Sequence, residues 1–143
     1  MIPELGHFAL IMALTVAIVP LAGAHFWSQG WMAVAAPAAQ AHFGFLIVAF
    51  VCLAASFLNE DFSVLYVVQN SNEALPTMYK ISAIWGAHEG SLLLWVLILG
   101  GWTAAVTFAS GSLPADFRAR VLGVLGFVSV GFLLFMVMTS NPF

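Results

Sequence analysis

Charge is what this sequence has least of. Of its 143 residues three are Lys or Arg and six are Asp or Glu, 6% of the chain, against 63% hydrophobic residues. Ordinary globular domains give roughly a quarter of their residues to charge, because a water-facing surface needs ions. Nine ionic residues cannot clothe a soluble domain of this size, and a mean hydropathy of +1.07 leaves lipid as the solvent. The net charge of −3 carries no basic patch, which argues against nucleic acid as a partner. Cysteine is equally scarce. Cys52 stands alone, so an internal disulfide, a CxxC pair and a CxxCH attachment site are all excluded, and it reads as a small buried hydrophobe. No Lys or Arg precedes Lys80, so the opening lacks the basic n-region of a secretory signal, and Met1 is expected to begin an uncleaved span. HExxH, GxxxxGK[ST] and GxSxG are missing as well, and hydrolysis has no support.

What is present is hydrocarbon in long runs. A helix needs about 20 mostly apolar residues to cross a bilayer, and four stretches qualify, at 6–26, 41–58, 91–110 and 121–138. None contains an ionic residue, and the runs do not alternate as barrel strands do. The expected fold is therefore all-α and integral to the membrane, one domain over 1–143 with four transmembrane helices. The first connection, "WSQGWMAVAAPAAQ", has Gly30 and Pro37 as breakers. The second, 59–90, is long enough to need structure of its own, and Pro76 marks the first turn of a short interfacial helix over 77–84. The third carries Arg118 and Arg120, the only clustered cations, so the Lys/Arg bias of short loops puts it in the cytoplasm. Both termini and the 59–90 loop then face the periplasm of a bacterium, with Lys80 as a weak dissent. Glycines at 100, 101, 123, 126 and 131 read as close helix packing.

The polar residues inside so apolar a chain need reasons. His25 and His42 are expected to share one end of the bundle and His7 and His88 the other, and either pair could hold a bis-histidine haem. Headgroup-level histidines need no ligand, however. The stretch "ISAIWGAHEGSLLLW" is denser. In a helix beginning near Trp85, His88 and Glu89 follow at i+3 and i+4, and Trp95 returns close to the same face. Gly86 and Gly90 bare the backbone there, and Ser91 follows. Intramembrane ionisable groups usually face a partner or a cavity; the alternative is a Trp anchor with His88 and Glu89 hydrated at the interface.

The run "NSNEALPTMYKISAIWGAHEGSLLLW" resembles the early region of the CcmF family, the membrane subunit of the cytochrome c haem lyase, and of its NrfE-type relatives. The opening "MIPELGHFALI" and the ending "FMVMTSNPF" are similar to the same family in the same order, so the resemblance covers essentially the whole chain. It implies an inner-membrane protein that receives haem from a CcmE-type chaperone and assists its attachment to apocytochrome c, with CcmH- and CcmI-type subunits as partners. It places Trp85, Gly86, His88, Glu89, Gly90, Ser91 and Trp95 in the family's early motif. The family's tryptophan-rich segment of the WGxxWxWDP type, and the histidines that hold its haem, have no matching positions here. No haem-ligand role therefore passes to His7, His25, His42 or His88. The chain reads as the N-terminal piece of a longer or split protein, part of a larger multi-span bundle, packing beside the haem-handling core. A freestanding haem b anchor of a respiratory enzyme is the alternative. A transporter fragment is a third reading, but Thr15, Thr103 and Thr107 are too ordinary to support it.

Overall fold

The computed structural model describes the backbone of residues 2–25, 29–74, 76–86, 88–109, 115–139 and 141–143, with side chains except those of 19–25, 29–36 and 115–119. It contains α1 (Ile2–His25), α2 (Gln29–Leu58), α3 (Leu65–Asn70), α4 (Thr77–Gly86), α5 (His88–Ala109) and α6 (Ala115–Met138), with no strand among the described residues. Helices are what such a sequence has to form. In hydrocarbon a backbone N–H finds no water, and a helix satisfies every interior one within the segment. Three stretches, Pro37–Leu58, His88–Ala109 and Arg120–Met138, are long and apolar enough to cross a membrane, and Ile2–Ile18 is a shorter apolar helix. The chain is a multi-pass membrane protein built as an all-helical bundle.

The four long helices pack in a ring, α1 on α2, α2 on α5, α5 on α6 and α6 back on α1. Each turns one narrow stripe inward. On α1 it is Gly6, Leu10, Ala13 and Ala17; on α2 Ala39, His42, Leu46, Ala49, Leu53 and Ser56. On α5 it is Leu93, Val96, Gly100, Thr103 and Thr107, and on α6 Leu122, Gly126, Ser129, Leu133 and Met136. Alternating steps of three and four mark a left-handed seam in which side chains of one helix enter gaps in the next. Small residues sit where helices come closest, since association in lipid rests on packing rather than on expulsion of water. A β-carbon on Gly100 would lie 2.8 Å from Leu46 Cδ1, and one on Gly101 3.4 Å from the Phe43 ring. Gly131 differs, with nothing within 4 Å of that position.

One reading of the sequence is overturned. Gly30 and Pro37 do not break the chain, because α2 runs through both from Gln29. Proline removes one N–H from the ladder, but with no water to compete a membrane helix continues past that loss. His42 consequently lies thirteen residues into α2 rather than at its start. The third connection is shorter than expected too, because α6 has already begun at Ala115, ahead of both arginines; the Arg118 side chain lies outside the described residues.

Candidate functional site

The connection between α2 and α5 is built as a folded corner, and its geometry starts where α2 stops. Asp61 N–H donates to Ser56 O at 2.9 Å and Glu60 N–H to Phe57 O at 3.2 Å, a Schellman ending with Glu60 in the left-handed position (φ 55°). Glycine is the usual residue there. Glu60 has a second task, an ion pair with Lys80 of α4. Lys80 is only 8% exposed and is turned into the corner, which ties α4 to the end of α2. Asp61 accepts from the backbone N–H and the hydroxyl of Ser63, and these two bonds hold its carboxyl below the usual carboxylate range.

α3 supplies Tyr66, whose ring meets Phe57 edge-on at 5.3 Å and 71°. Its hydroxyl donates to Ile84 O at 3.0 Å and lies 3.3 Å from Ala83 O. Those carbonyls are in the last turn of α4, where a helix has no N–H of its own to offer them. Pro76 opens the same helix, its carbonyl accepting from Tyr79 and Lys80 N–H at 3.0 and 3.1 Å; it stands one position before the helix, as a cap. The chain then bends sharply into α5, with Ala87 outside the described residues. The bend explains Gly90. A β-carbon there would collide with the Ile84 carbonyl oxygen and the Tyr66 hydroxyl and lie 2.9 Å from the Ile84 carbonyl carbon. At Gly86, four residues earlier in the motif, a β-carbon would meet nothing within 4 Å.

The motif residues are thus brought to one corner but not to one face. Trp85 belongs to α4 and His88 opens α5, so no single helix carries both, which corrects the common face expected from the sequence. The stripe that exists is on α5 alone: His88, Ser91, Leu92 and Trp95, at i, i+3, i+4 and i+7. With Phe132 of α6 these residues line a cavity of about 330 Å³. His88 meets Phe135 edge-on at 6.3 Å, and Trp95 is 66% exposed. Glu89 is half-buried off this stripe. Through Leu92 and Phe132 the cavity adjoins a second, of about 370 Å³, lined also by Phe127, Val128, Gly131 and Phe135. Together they make a groove along the outside of α5 and α6.

Neither histidine pair comes together. His7 lines a different cavity, of about 290 Å³, with Pro3, Glu4, Ser63, Val64 and Phe143. There the Asn141 side-chain amide donates to His7 Nδ1 at 3.0 Å, while Asn141 Oδ1 accepts the Phe143 N–H at 3.0 Å. The second bond fixes the amide's orientation, so Nδ1 is the acceptor and neutral His7 carries its proton on Nε2. His42 Nδ1–H donates to Ala13 O at 2.8 Å, midway along α1. Ala13 is twelve residues from His25, about 18 Å at about 1.5 Å per residue, so the two histidines are not at one depth; the His25 side chain lies outside the described residues. His42 is 2% exposed against Phe43, Leu46 and Gly100, and its Nε2 has no partner among the described residues. The described residues hold no cluster of three or more His, Cys, Asp or Glu fit for a metal. Sequence reasoning missed Tyr66, Glu60 and Lys80 as parts of the corner. The signal for Lys80 was a lone cation amid apolar residues, with Glu60 the acid at the end of the preceding span.

No known family profile matches the chain. It is 60% identical over its whole length to the cytochrome c-type biogenesis protein CcmF of Pseudomonas aeruginosa and 48% identical to CcmF of Escherichia coli. It is 37% identical to the cytochrome c-type biogenesis protein NrfE of Haemophilus influenzae. A solved cytochrome c haem lyase CcmF superposes on all of it with a TM-score of 0.93 at 26% identity, the match taking in 25% of that chain. The chain spans 22–23% of the length of these three relatives. Over their whole length these 143 residues match a stretch of cytochrome c-type biogenesis proteins of the CcmF and NrfE type, spanning under a quarter of the length of those relatives.

Proposed function

We propose that the chain is the N-terminal membrane segment of a cytochrome c maturation haem lyase, and that it takes part in haem delivery to apocytochrome c by holding and docking the haem-handling remainder. The whole-length similarity to CcmF proteins supports the process. The observation that carries the positional role is the α4–α5 corner. Gly90 admits the Ile84 carbonyl, Tyr66 caps that carbonyl, and Lys80 reaches Glu60, so the motif's most constrained residue serves shape rather than bond chemistry. The corner sets the entry angle of α5, and hence the direction in which His88, Ser91 and Trp95 face outward. Haem itself is held by residues outside this stretch, and the partners are the rest of the CcmF-like chain, a CcmE-type chaperone, CcmH- and CcmI-type subunits and apocytochrome c.

The segment sits in the bacterial inner membrane with both termini and the 59–86 corner in the periplasm. Arg120, exposed near the start of α6, stands at the cytoplasmic end under the Lys/Arg bias of short loops. Lys80, the one cation on the other side, is neutralised by Glu60. The test is holocytochrome c accumulation, read by haem-dependent peroxidase staining, in a strain whose CcmF-like gene is replaced by versions lacking residues 1–143 or carrying Gly90→Leu. Loss of staining in both, with the remaining chain still present in the membrane, is expected. Undiminished staining without the segment would overturn the assignment.

A further inference from the structure

The bundle has two outward faces of different chemistry. On α1 and α2 the exposed large residues are mainly branched aliphatics, among them Leu5, Ile11, Ile18, Ile47, Val48 and Val51. On α5 and α6 half of them among the described residues are aromatic, Trp95, Trp102, Phe108, Phe127 and Phe135, beside Ile98, Val124, Val128, Leu134 and Met138. Lipid chains are satisfied by a smooth aliphatic wall. They give no reason for a furrow, and α5 and α6 form an open, shallow one from the two adjoining cavities of about 370 and 330 Å³. Its floor is Gly131, where a β-carbon would meet nothing within 4 Å. Its outer end offers the imidazole of His88 and the hydroxyl of Ser91.

We propose that this groove seats a transmembrane helix from the part of the full-length protein that residues 1–143 do not include, with the α1/α2 face left to lipid. The proposal deepens the packing role above and rests on it. Helices associate in a bilayer through close packing at small residues and through hydrogen bonds between polar side chains. The groove has both, Gly131 for the approach of a backbone or ridge and His88 with Ser91 for a polar partner near the membrane boundary. Something large remains to be placed, since the match takes in 25% of the solved haem lyase chain. The groove runs between the two helices, as a ridge of side chains from a third helix requires.

The experiment uses the full-length protein in its native membrane. Benzoylphenylalanine is introduced singly at Phe127, Gly131 or Phe135, and at Ile11, Ile47 or Val51, and the photo-adducts are identified by mass spectrometry. Adducts to peptides beyond residue 143 are expected from the first set and lipid adducts from the second. Lipid adducts from all six positions, or adducts to a second copy of residues 1–143 from the groove, would overturn the proposal. Gly131→Leu and Gly44→Leu form a matched pair, because at neither position does an added β-carbon have an atom within 4 Å. Gly131→Leu should abolish the Phe127 adduct and lower the melting temperature of the full-length protein, while Gly44→Leu should do neither; equal behaviour of the two would count against the groove. Normal holocytochrome c without this segment would remove the maturation role, yet the adducts would still report where the remaining chain docks.

Discussion

Gly90→Ala adds one methyl group at the tightest point of the corner. The new carbon would sit 2.9 Å from the Ile84 carbonyl carbon and nearer still to the Ile84 oxygen and the Tyr66 hydroxyl. Two of these atoms are backbone, so no rotamer change relieves the clash, and α4 has to move off α5. Overpacking of this kind costs about 1–3 kcal/mol. Moving α4 also breaks the Tyr66–Ile84 bond of 3.0 Å, worth about 1 kcal/mol. Against this, alanine is about 1 kcal/mol better than glycine inside a helix. The net expectation is a loss of about 1–3 kcal/mol by the same terms. Gly86→Ala meets open space and should be neutral or stabilising by up to about 1 kcal/mol. Denaturant-induced unfolding of both variants in detergent micelles, followed by tryptophan fluorescence, compares two glycines of one motif under one condition. The cycle with Tyr66→Phe adds a sign. Removing the hydroxyl takes away one of the atoms that the new methyl strikes, so the double variant should lose less than the sum of the single losses. Equal stability of Gly90→Ala and Gly86→Ala, or strict additivity in the cycle, would refute the corner as the reason for Gly90.

Other residues make separate expectations. Glu60 combines left-handed strain with an ion pair; Glu60→Gly loses the pair but relieves the strain, whereas Glu60→Ala loses the pair and keeps it, so the alanine variant should be the less stable by about 1 kcal/mol in the same unfolding assay. Asp61 has its pKa lowered by Ser63, so it contributes stability that is complete above its ordinary pKa of 3.8 and is lost as pH falls through the lower folded value. Ser63→Ala should therefore flatten the acid limb of a stability-against-pH curve by lowering the plateau near neutrality, with the least change at the acid end. Asn141→Leu breaks the bonds that tie residues 141–143 to His7 and orient Phe143 over Gly6, and limited proteolysis should cut the chain near residue 143 faster in that variant than in the parent. His42→Leu removes a buried ring nitrogen that lacks a partner; because Ala13 O keeps its place in the α1 ladder, stability should hold or rise, and a loss above about 1 kcal/mol would show that the His42 bond contributes more than an ordinary one.

How much of this was legible in the sequence depends on what each residue responds to. The lipid solvent, the all-helical class and the family were legible, because they follow from composition over long windows and from a motif that is specific in itself. Pro76 and the short helix after it were legible for a local reason, since proline's fixed φ and missing N–H act within one turn. Pro37 was misread by the same local rule. The cost of its missing N–H is judged against water in a soluble protein, and in hydrocarbon the chain has no better conformation to adopt. That single reversal moved the start of α2 back to Gln29 and carried His42 from a membrane boundary to the interior of the bundle.

The motif itself divides along the same line. Sequence spacing placed Trp85, His88 and Glu89 on one face because it assumed one helix, and no i+3 or i+4 count contains the information that α4 ends at Gly86 and the chain bends before α5. The bend is decided by contacts from 18 and 20 residues away, Tyr66 on the Ile84 carbonyl and Glu60 on Lys80. Gly90 is the residue where that long-range geometry becomes visible in the sequence. Glycine inside a membrane helix has two uses, to receive a neighbour or to leave room for one. At Gly90 and Gly100 the neighbour is present in this chain. At Gly131, as at Gly44 and Gly86, the room is open, but Gly131 is the one of the three that lines the α5/α6 groove, and under the proposed docking it is the glycine that a further helix would meet.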